Sequence, residues 1–389
     1  MKCDMKKTPL KIVYCTPALY MAGGVERVLT LKANYFADHF GYDITIILTE
    51  GKDKPLFYPL SDKIKVINYG INFEELWTCS FTKKIFVYLK KQRLFKKLLT
   101  KELMRIRPDI TVSLLRREIN FINGIKDGSR KVGEMHVNRD NYRNIEDGNA
   151  SVVKRLFAKC WSANLLSHLK KLDAFVVLTQ NDYENWVELD NVCVIPNPSP
   201  FVSSSVSLLT EKRVIAVARY AWQKGIDMLL HAWAEVEKQT EEWRLDVYGD
   251  GDTSSYEKII NDLGLDRNRC RLNGRTSNVE HEYCQSSLFV LSSRYEGFGM
   301  VIVEAMACGL PVVSFNCPWG PSSIIQDGEN GILVENGNIP ALAQGLVCLI
   351  NDADKRKAMS IAALQNAQRY NIGQIAQQWK ELFDNLMVK

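Results

Sequence analysis

The stretch Ser293–Pro311, SRYEGFGMVIVEAMACGLP, decides how this 389-residue chain is read. The apolar run Leu288–Ser292 just before it predicts a short buried strand that ends in a polar loop. Glu296-Gly297-Phe298-Gly299 then opens a helical pattern with Val301, Ile302, Ala305 and Met306 as its apolar positions. Gly309 and Pro311 stop that pattern. Strand, glycine turn and helix together aim free backbone N–H groups and a positive helix end at an anion such as phosphate.

Two carboxylates sit in this segment, Glu296 in the turn and Glu304 on the helix. Eight positions of about 100° each leave them about 80° apart around a helix axis, so both can line one end of a cleft. A carboxylate beside a diphosphate would repel it. A vicinal diol, as in a ribose or a hexose, suits its two acceptor oxygens better. The competing reading makes Glu296 a helix cap and Glu304 a solvated face residue.

The wording of the segment goes further. SRYEGFGMVIVEAMACGLPVV resembles the signature of the family 4 retaining glycosyltransferases, in which Glu, seven residues and Glu precede a small-residue helix and a Gly-x-Pro-Val-Val strand. Glu296, Glu304, Gly309, Pro311, Val312 and Val313 match it position by position. The resemblance, which is closest to enzymes of bacterial envelope and capsular polysaccharides, implies an α/β fold. Two Rossmann-like domains would face each other across a cleft (the GT-B arrangement).

Composition agrees with two domains: 46% hydrophobic residues over this length support two large cores. The ten cysteines show no C-x-x-C and no paired spacing with histidine, so reduced thiols and a cytoplasmic setting are expected rather than a zinc site. MKCDMKKTPLKIVYCTP lacks the apolar core of a signal peptide, and no stretch is apolar enough to span a membrane. Residues 1–190 carry 32 Lys and Arg against 22 Asp and Glu, whereas residues 191–389 carry 18 against 23. The first half is therefore expected to face an anionic surface.

Working outward, Lys11–Thr16 predicts a first strand, and Gly23-Gly24 leads into a helix through about His39. Gly23-Gly24 permits close backbone approach, but the third glycine of a dinucleotide fingerprint is missing. Asp43–Thr49, Lys63–Tyr69, Pro108–Leu114, Lys131–Met135 and Asp173–Thr179 predict further strands, followed by a helix over Asn181–Glu188 and a strand over Val192–Ile195. Lys83–Arg107 reads as an amphipathic helix with ten basic residues and Glu102 as its lone acid. It fits a membrane surface or, more plainly, a solvated face; no helix-turn-helix or stacking pattern supports nucleic acid. A second basic patch runs through Lys154, Arg155, Lys159, Lys170 and Lys171. The proline-rich run Pro196–Pro200 separates the halves. The expected domains are 1–195, 196–371 and a C-terminal helix, 372–389, which the resemblance sends back to the first domain.

In the second half Val214–Ala218 predicts a strand, then a loop bearing Arg219 and Lys224, then a helix from Ile226 to about Lys238. Two cations there could neutralise a diphosphate. Asp250 and Asp252 spell D-x-D, but beside two glycines they read as a turn rather than a metal site. Asp327–Gly331 reads as a hairpin-like turn before a strand at Ile332–Val334.

The resemblance assigns roles to these positions. The first domain would bind the acceptor, a glycan or lipid-linked glycan, and the second a nucleotide diphosphate sugar, UDP-linked by family habit. Gly23 and Gly24 would face the donor, and Arg219, Lys224 and the amides around Phe298, Gly299 and Met300 would hold its diphosphate. Glu304 would hold ribose hydroxyls, Glu296 the sugar, Thr276 would lie near the base, and His136 beside the transferring sugar. Arg139 belongs to the same segment, GEMHVNRDN. No cofactor or metal is expected. The alternatives are a sugar-nucleotide epimerase of the same shape and a non-catalytic scaffold at a membrane.

Overall fold

The structure is a computed structural model that describes residues 9–78, 80–139, 162–201 and 205–388. The chain divides into two compact units, one running to Pro198 and resuming at Ile372, the other spanning Ser199–Asn371.

The first unit holds seven strands: β1 (Lys11–Cys15), β2 (Asp43–Leu48), β3 (Lys65–Asn68), β4 (Ile110–Ser113), β5 (Arg130–Glu134), β6 (Ala174–Val177) and β7 (Val192–Val194). They form one sheet in the order β3-β2-β1-β4-β5-β6-β7, every pair parallel. Alternation along β1 builds both faces. Ile12 and Tyr14 join the core that includes Trp379 and Phe383, while Val13 and Cys15 join Phe73, Phe95, Leu99 and Leu103 on the other side. Covered on both faces, the central strands are continuous apolar runs, as parallel strands must be. The Gly24–Tyr35 helix and the C-terminal helix, Ile372–Val388, cover the first face, and Phe81–Ile106 covers the second.

The second unit contains β8 (Arg213–Val217), β9 (Arg244–Tyr248), β10 (Cys270–Asn273), β11 (Leu288–Leu291), β12 (Val312–Asn316) and β13 (Gly331–Glu335). Their order is β10-β9-β8-β11-β12-β13, again all parallel. Trp233, fully buried with Leu229 and Val214, anchors this core; its removal to Ala would cost roughly 3–5 kcal/mol. In both sheets the chain winds outward in two directions from the centre. The switch points, between β1 and β4 and between β8 and β11, are where open α/β sheets bind ligands at the carboxyl ends of their strands.

Several expectations need correction. The helix expected over Asn181–Glu188 is a single turn, Gln180–Tyr183, capped by Thr179. Beyond it, an i→i−3 bond from Trp186 to Tyr183 tightens the chain, and the indole packs edge-on to Phe175 at 5.0 Å. Asp327–Gly331 does not make a hairpin, because Gly331 opens β13, which pairs in parallel with β12. The first helix ends at Tyr35, and a π turn then carries the chain to Gly41 in the left-handed region. A helix over Ser254–Leu263, not expected from the sequence, follows β9.

Candidate functional site

At the switch point of the second unit, the loop after β8 and the loop after β11 lock together. Arg294 N donates to Gln223 O at 2.8 Å, Gln223 Nε2 to Tyr295 O at 3.0 Å, and Ser292 Oγ to Lys224 O at 3.0 Å. A Cβ on Gly225 would lie 2.0 Å from Ser292 O, so the contact needs glycine, and its φ of +60° needs it again. These bonds aim Lys224 at Glu296: Nζ to Oε1 is 2.7 Å, and the same oxygen accepts from Ser293 Oγ at 2.6 Å. The pair is mostly enclosed, with side-chain exposures of 16% and 8%.

Gly299 then turns the chain into the Met300–Ala307 helix with φ +91°. Ile302 N donates back to Gly299 O at 2.9 Å, and the start of the helix is a positive end close to the Lys224–Glu296 pair. Phe298 is buried edge-on to Tyr370 and fixes the turn. Trp319 (φ +85°) and Gly320 form its wall; a Cβ on Gly320 would lie 2.6 Å from Phe298 O. Glu304 is buried, with Tyr283 OH donating to its Oε2 at 3.4 Å. Neither glutamate is a solvated face residue.

Arg219 is exposed at the end of the β8 loop and makes no ion pair among the described residues. Thr276 Oγ1 accepts from Asn278 N at 3.1 Å, a local turn bond. Asp252 accepts from the amide and hydroxyl of Ser254 at 3.0 and 2.6 Å, so the second aspartate of D-x-D serves a helix start. Among the described residues no group of three or more His, Cys, Asp or Glu is placed to hold a metal ion. Sequence reasoning missed Ser293 and the Arg294–Asp227 fork (2.9 and 2.6 Å). Burial opposes ionisation of Asp227, but Arg294 holds its carboxyl below the usual range. The signal was in the quoted segment, where Ser293 and Arg294 stand three and two residues before Glu296.

In the first unit, Gly23-Gly24 open the helix after β1, and the Glu26 carboxylate curls back over Gly23, where a Cβ would meet it at 1.9 Å. Burial raises the Glu26 pKa, opposed by a backbone hydrogen bond and by the charges of Arg116 and His136. His136 follows β5; its Nε2 lies 3.2 Å from Glu134 Oε1. Lys32, one face of the same glycine-opened helix, bonds the same oxygen from a fully buried position. Burial opposes the charge on Glu134, yet Lys32 and His136 hold its carboxyl down at about 2. Arg139 points away from His136 and pairs with Glu188 at 2.8 and 2.9 Å.

The Phe81–Ile106 helix keeps Phe95, Leu99 and Leu103 inward. Lys91 also faces inward, donating to Ile71 O and Asn72 O at 2.5 and 2.6 Å, and so leaves the basic face. Lys83, Lys90, Arg93, Lys96, Lys97 and Lys101 are exposed around Phe86, which is 75% accessible. Of the second patch, Lys154, Arg155 and Lys159 lie outside the described residues. No helix among the described residues is long and apolar enough to cross a membrane.

Known proteins resemble this chain in sequence and in fold. The family described as glycosyl transferases group 1 matches residues 211–352. An uncharacterized glycosyltransferase of Haemophilus influenzae is 30% identical over 364 residues, 92% of this chain and 96% of that protein. The chain belongs to the group 1 glycosyltransferases. The matched residues of this group 1 chain enclose the entire Lys224–Glu296–Glu304 site. The amylovoran biosynthesis glycosyltransferase AmsD of Erwinia amylovora is 25% identical over 96% of the chain and 99% of its own length. A variant of Staphylococcus aureus TarM, in complex with Fondaparinux, alpha-GlcNAc-glycerol and UDP, has a TM-score of 0.74 at 18% identity. It covers 96% of this chain and 99% of that one. That likeness shows the fold of this group 1 chain to be GT-B.

Proposed function

We propose that this glycosyltransferase moves a hexosyl group from a nucleotide diphosphate sugar, UDP-linked, to a glycan or lipid-linked glycan of a cell-envelope polysaccharide. The observation that carries the reading is the Lys224–Glu296 contact beside the glycine-opened Met300–Ala307 helix. An ammonium, a helix N-terminus and a carboxylate within one switch point suit a diphosphate and a polyol side by side. The TarM variant with UDP and the amylovoran relative support the nucleotide and the polymer class. The second unit then binds the donor and the first the acceptor.

In this reading Arg219, Lys224 and the amides of Phe298, Gly299 and Met300 neutralise the departing diphosphate. Glu304 holds ribose hydroxyls, Glu296 holds the sugar, Gly23 and Gly24 allow close backbone approach, and His136 lies by the transferring sugar. Thr276 stands near the base. The resemblance to retaining enzymes implies that the anomeric carbon keeps its configuration, and with no evident nucleophile in this set the route is front-face rather than through a covalent intermediate. Its bond to the diphosphate oxygen breaks, the acceptor oxygen bonds on the same face, and the acceptor proton passes to the diphosphate. Cations supplied by Arg219 and Lys224 do this without a metal ion or cofactor.

The basic outward face of Phe81–Ile106, with Phe86 and Leu89 exposed, supports attachment to an anionic membrane at its cytoplasmic side. The testing experiment follows nucleotide release from a panel of nucleotide sugars, with and without membrane lipid extract, for wild type, Lys224→Ala and Glu304→Ala. One donor consumed faster with lipid, and sharply slowed in both variants, is the expected result. Conversion of a donor without nucleotide release would replace the reading with an epimerase, and unchanged variants would remove the site.

A further inference from the structure

Beneath His136 lies an ion pair that the transfer reading does not use. Lys32 and Glu134 each have side chains 1% exposed, and Lys32 Nζ also sits 4.2 Å from the centre of the Trp379 ring. A carboxylate so enclosed needs a compensating cation. Two groups could provide it, because Lys32 and His136 both approach the same oxygen, Oε1. Glu134 Oε2 has no hydrogen-bond partner among the described residues, so the charge is answered at one atom. Of the two groups, the ammonium is the hydrogen-bonded one, with the indole face adding attraction.

The imidazole of His136 is the second group at that oxygen. Its Nε2, 3.2 Å from Oε1 and oblique to the ideal line, cannot turn a lone pair toward a carboxylate oxygen. The carboxylate favours a proton on that nitrogen, and in a neutral ring the lone pair is then on Nδ1. We propose that Lys32 and Glu134 are positioning residues that hold His136 neutral with its proton on Nε2, so that Nδ1 accepts a hydrogen bond from a hydroxyl of the bound sugar. This rests on the reading of His136 as a sugar-side residue.

The other charged groups around the ring agree. Glu26, from the first turn of the Lys32 helix, and Arg116, from the loop after β4, face each other and His136 with opposite sign. Tyr14 on β1 stays neutral, its pKa raised by burial and by Glu134. Lys32 is thus the group whose removal leaves Glu134 uncompensated.

Ring nitrogen NMR shifts of full-length protein at neutral pH test this, with the His136 signal assigned by its loss in His136→Gln. Wild type is expected to show a neutral ring protonated at Nε2. Lys32→Met should give a doubly protonated His136 ring, and kcat about tenfold lower with donor KM little changed. Lys32→Arg should keep the neutral ring, and Lys32→Met/Glu134→Gln should restore it. A wild-type ring protonated at Nδ1, or a folded Lys32→Met with a neutral ring, overturns the inference. If Lys32→Met does not fold, a doubly protonated ring in Lys32→Arg overturns it equally. Full activity in His136→Ala would instead defeat the sugar-side role and leave the NMR result standing on its own.

Discussion

Lys224 and Glu296, 72 residues apart in the chain, meet at 2.7 Å because the loops that carry them follow the neighbouring parallel strands β8 and β11. Each neutralises the other in a mostly enclosed place. A donor diphosphate would compete for the ammonium and release the carboxylate toward the sugar, so one contact couples folding to binding.

The coupling is measurable. Lys224→Met leaves Glu296 buried without its cation and should lower stability by about 2 kcal/mol. Lys224→Met/Glu296→Gln should recover part of that loss, whereas donor binding stays lost in both. Urea midpoints and calorimetric titration with UDP read the two effects separately. A double variant less stable than the single would show that the pair does not act as a unit.

Gly225 gives a sharper steric prediction. Gly225→Ala places a Cβ 2.0 Å from Ser292 O at φ +60° and should cost more than about 2 kcal/mol while loosening the Lys224 loop. Gly264 has nearly the same φ, +65°, but faces open space. Gly264→Ala should therefore cost only about 1 kcal/mol. Equal melting shifts for the two variants would place the cost in the backbone conformation and not in the interlock.

These contrasts show what the residues could and could not reveal beforehand. Strand cores such as Ile44–Leu48 and Leu288–Leu291 are continuous apolar runs and were legible as buried parallel strands. Glu296, Glu304 and Lys224 were legible through motif and loop position. Their pairing was not, because it depends on which strands become neighbours. Lys32 and Glu134 were invisible for a related reason: a lysine on an amphipathic helix ordinarily faces water, and tertiary packing that includes Trp379 encloses this one. Lys91 misled in the same way, reading as part of a basic face while its ammonium closes the Ile71–Glu75 segment. Asn181–Glu188 misled locally, since tertiary contact of Trp186 with Phe175 overrode helical continuation.

Acid sensitivity should carry the mark of Glu134. Burial opposes its charge, but Lys32 and His136 hold the folded carboxyl at about 2, below its unfolded value of roughly 4.3. A depressed carboxyl stabilises the fold above the unfolded value and loses that contribution as pH falls through the folded one. Up to about 3 kcal/mol is at stake in that window. Lys32 is charged in both folded and unfolded chains there and adds no slope. Glu134→Gln should start less stable yet lose less between pH 5 and pH 2.5 by urea unfolding. An unchanged slope would mean that another carboxylate governs the acid limb.

The last prediction concerns the outward face of Phe81–Ile106. Phe86 is 75% and Leu89 45% accessible, among exposed Lys90, Arg93 and Lys97. Insertion of the apolar pair and attraction of the cations should act together, each basic residue near an anionic surface adding about 1 kcal/mol. Phe86→Ser should weaken co-sedimentation with vesicles containing anionic lipid at any ionic strength. Lys90→Glu/Lys97→Glu should weaken it most at low salt, where screening is least. Neither substitution touches the buried face of Phe95, Leu99 and Leu103, so the melting temperature should hold. Binding of wild type to neutral vesicles as strong as to anionic ones would rule out the electrostatic part. Loss of binding in the lysine variant alone would reduce the helix to a charged surface without insertion.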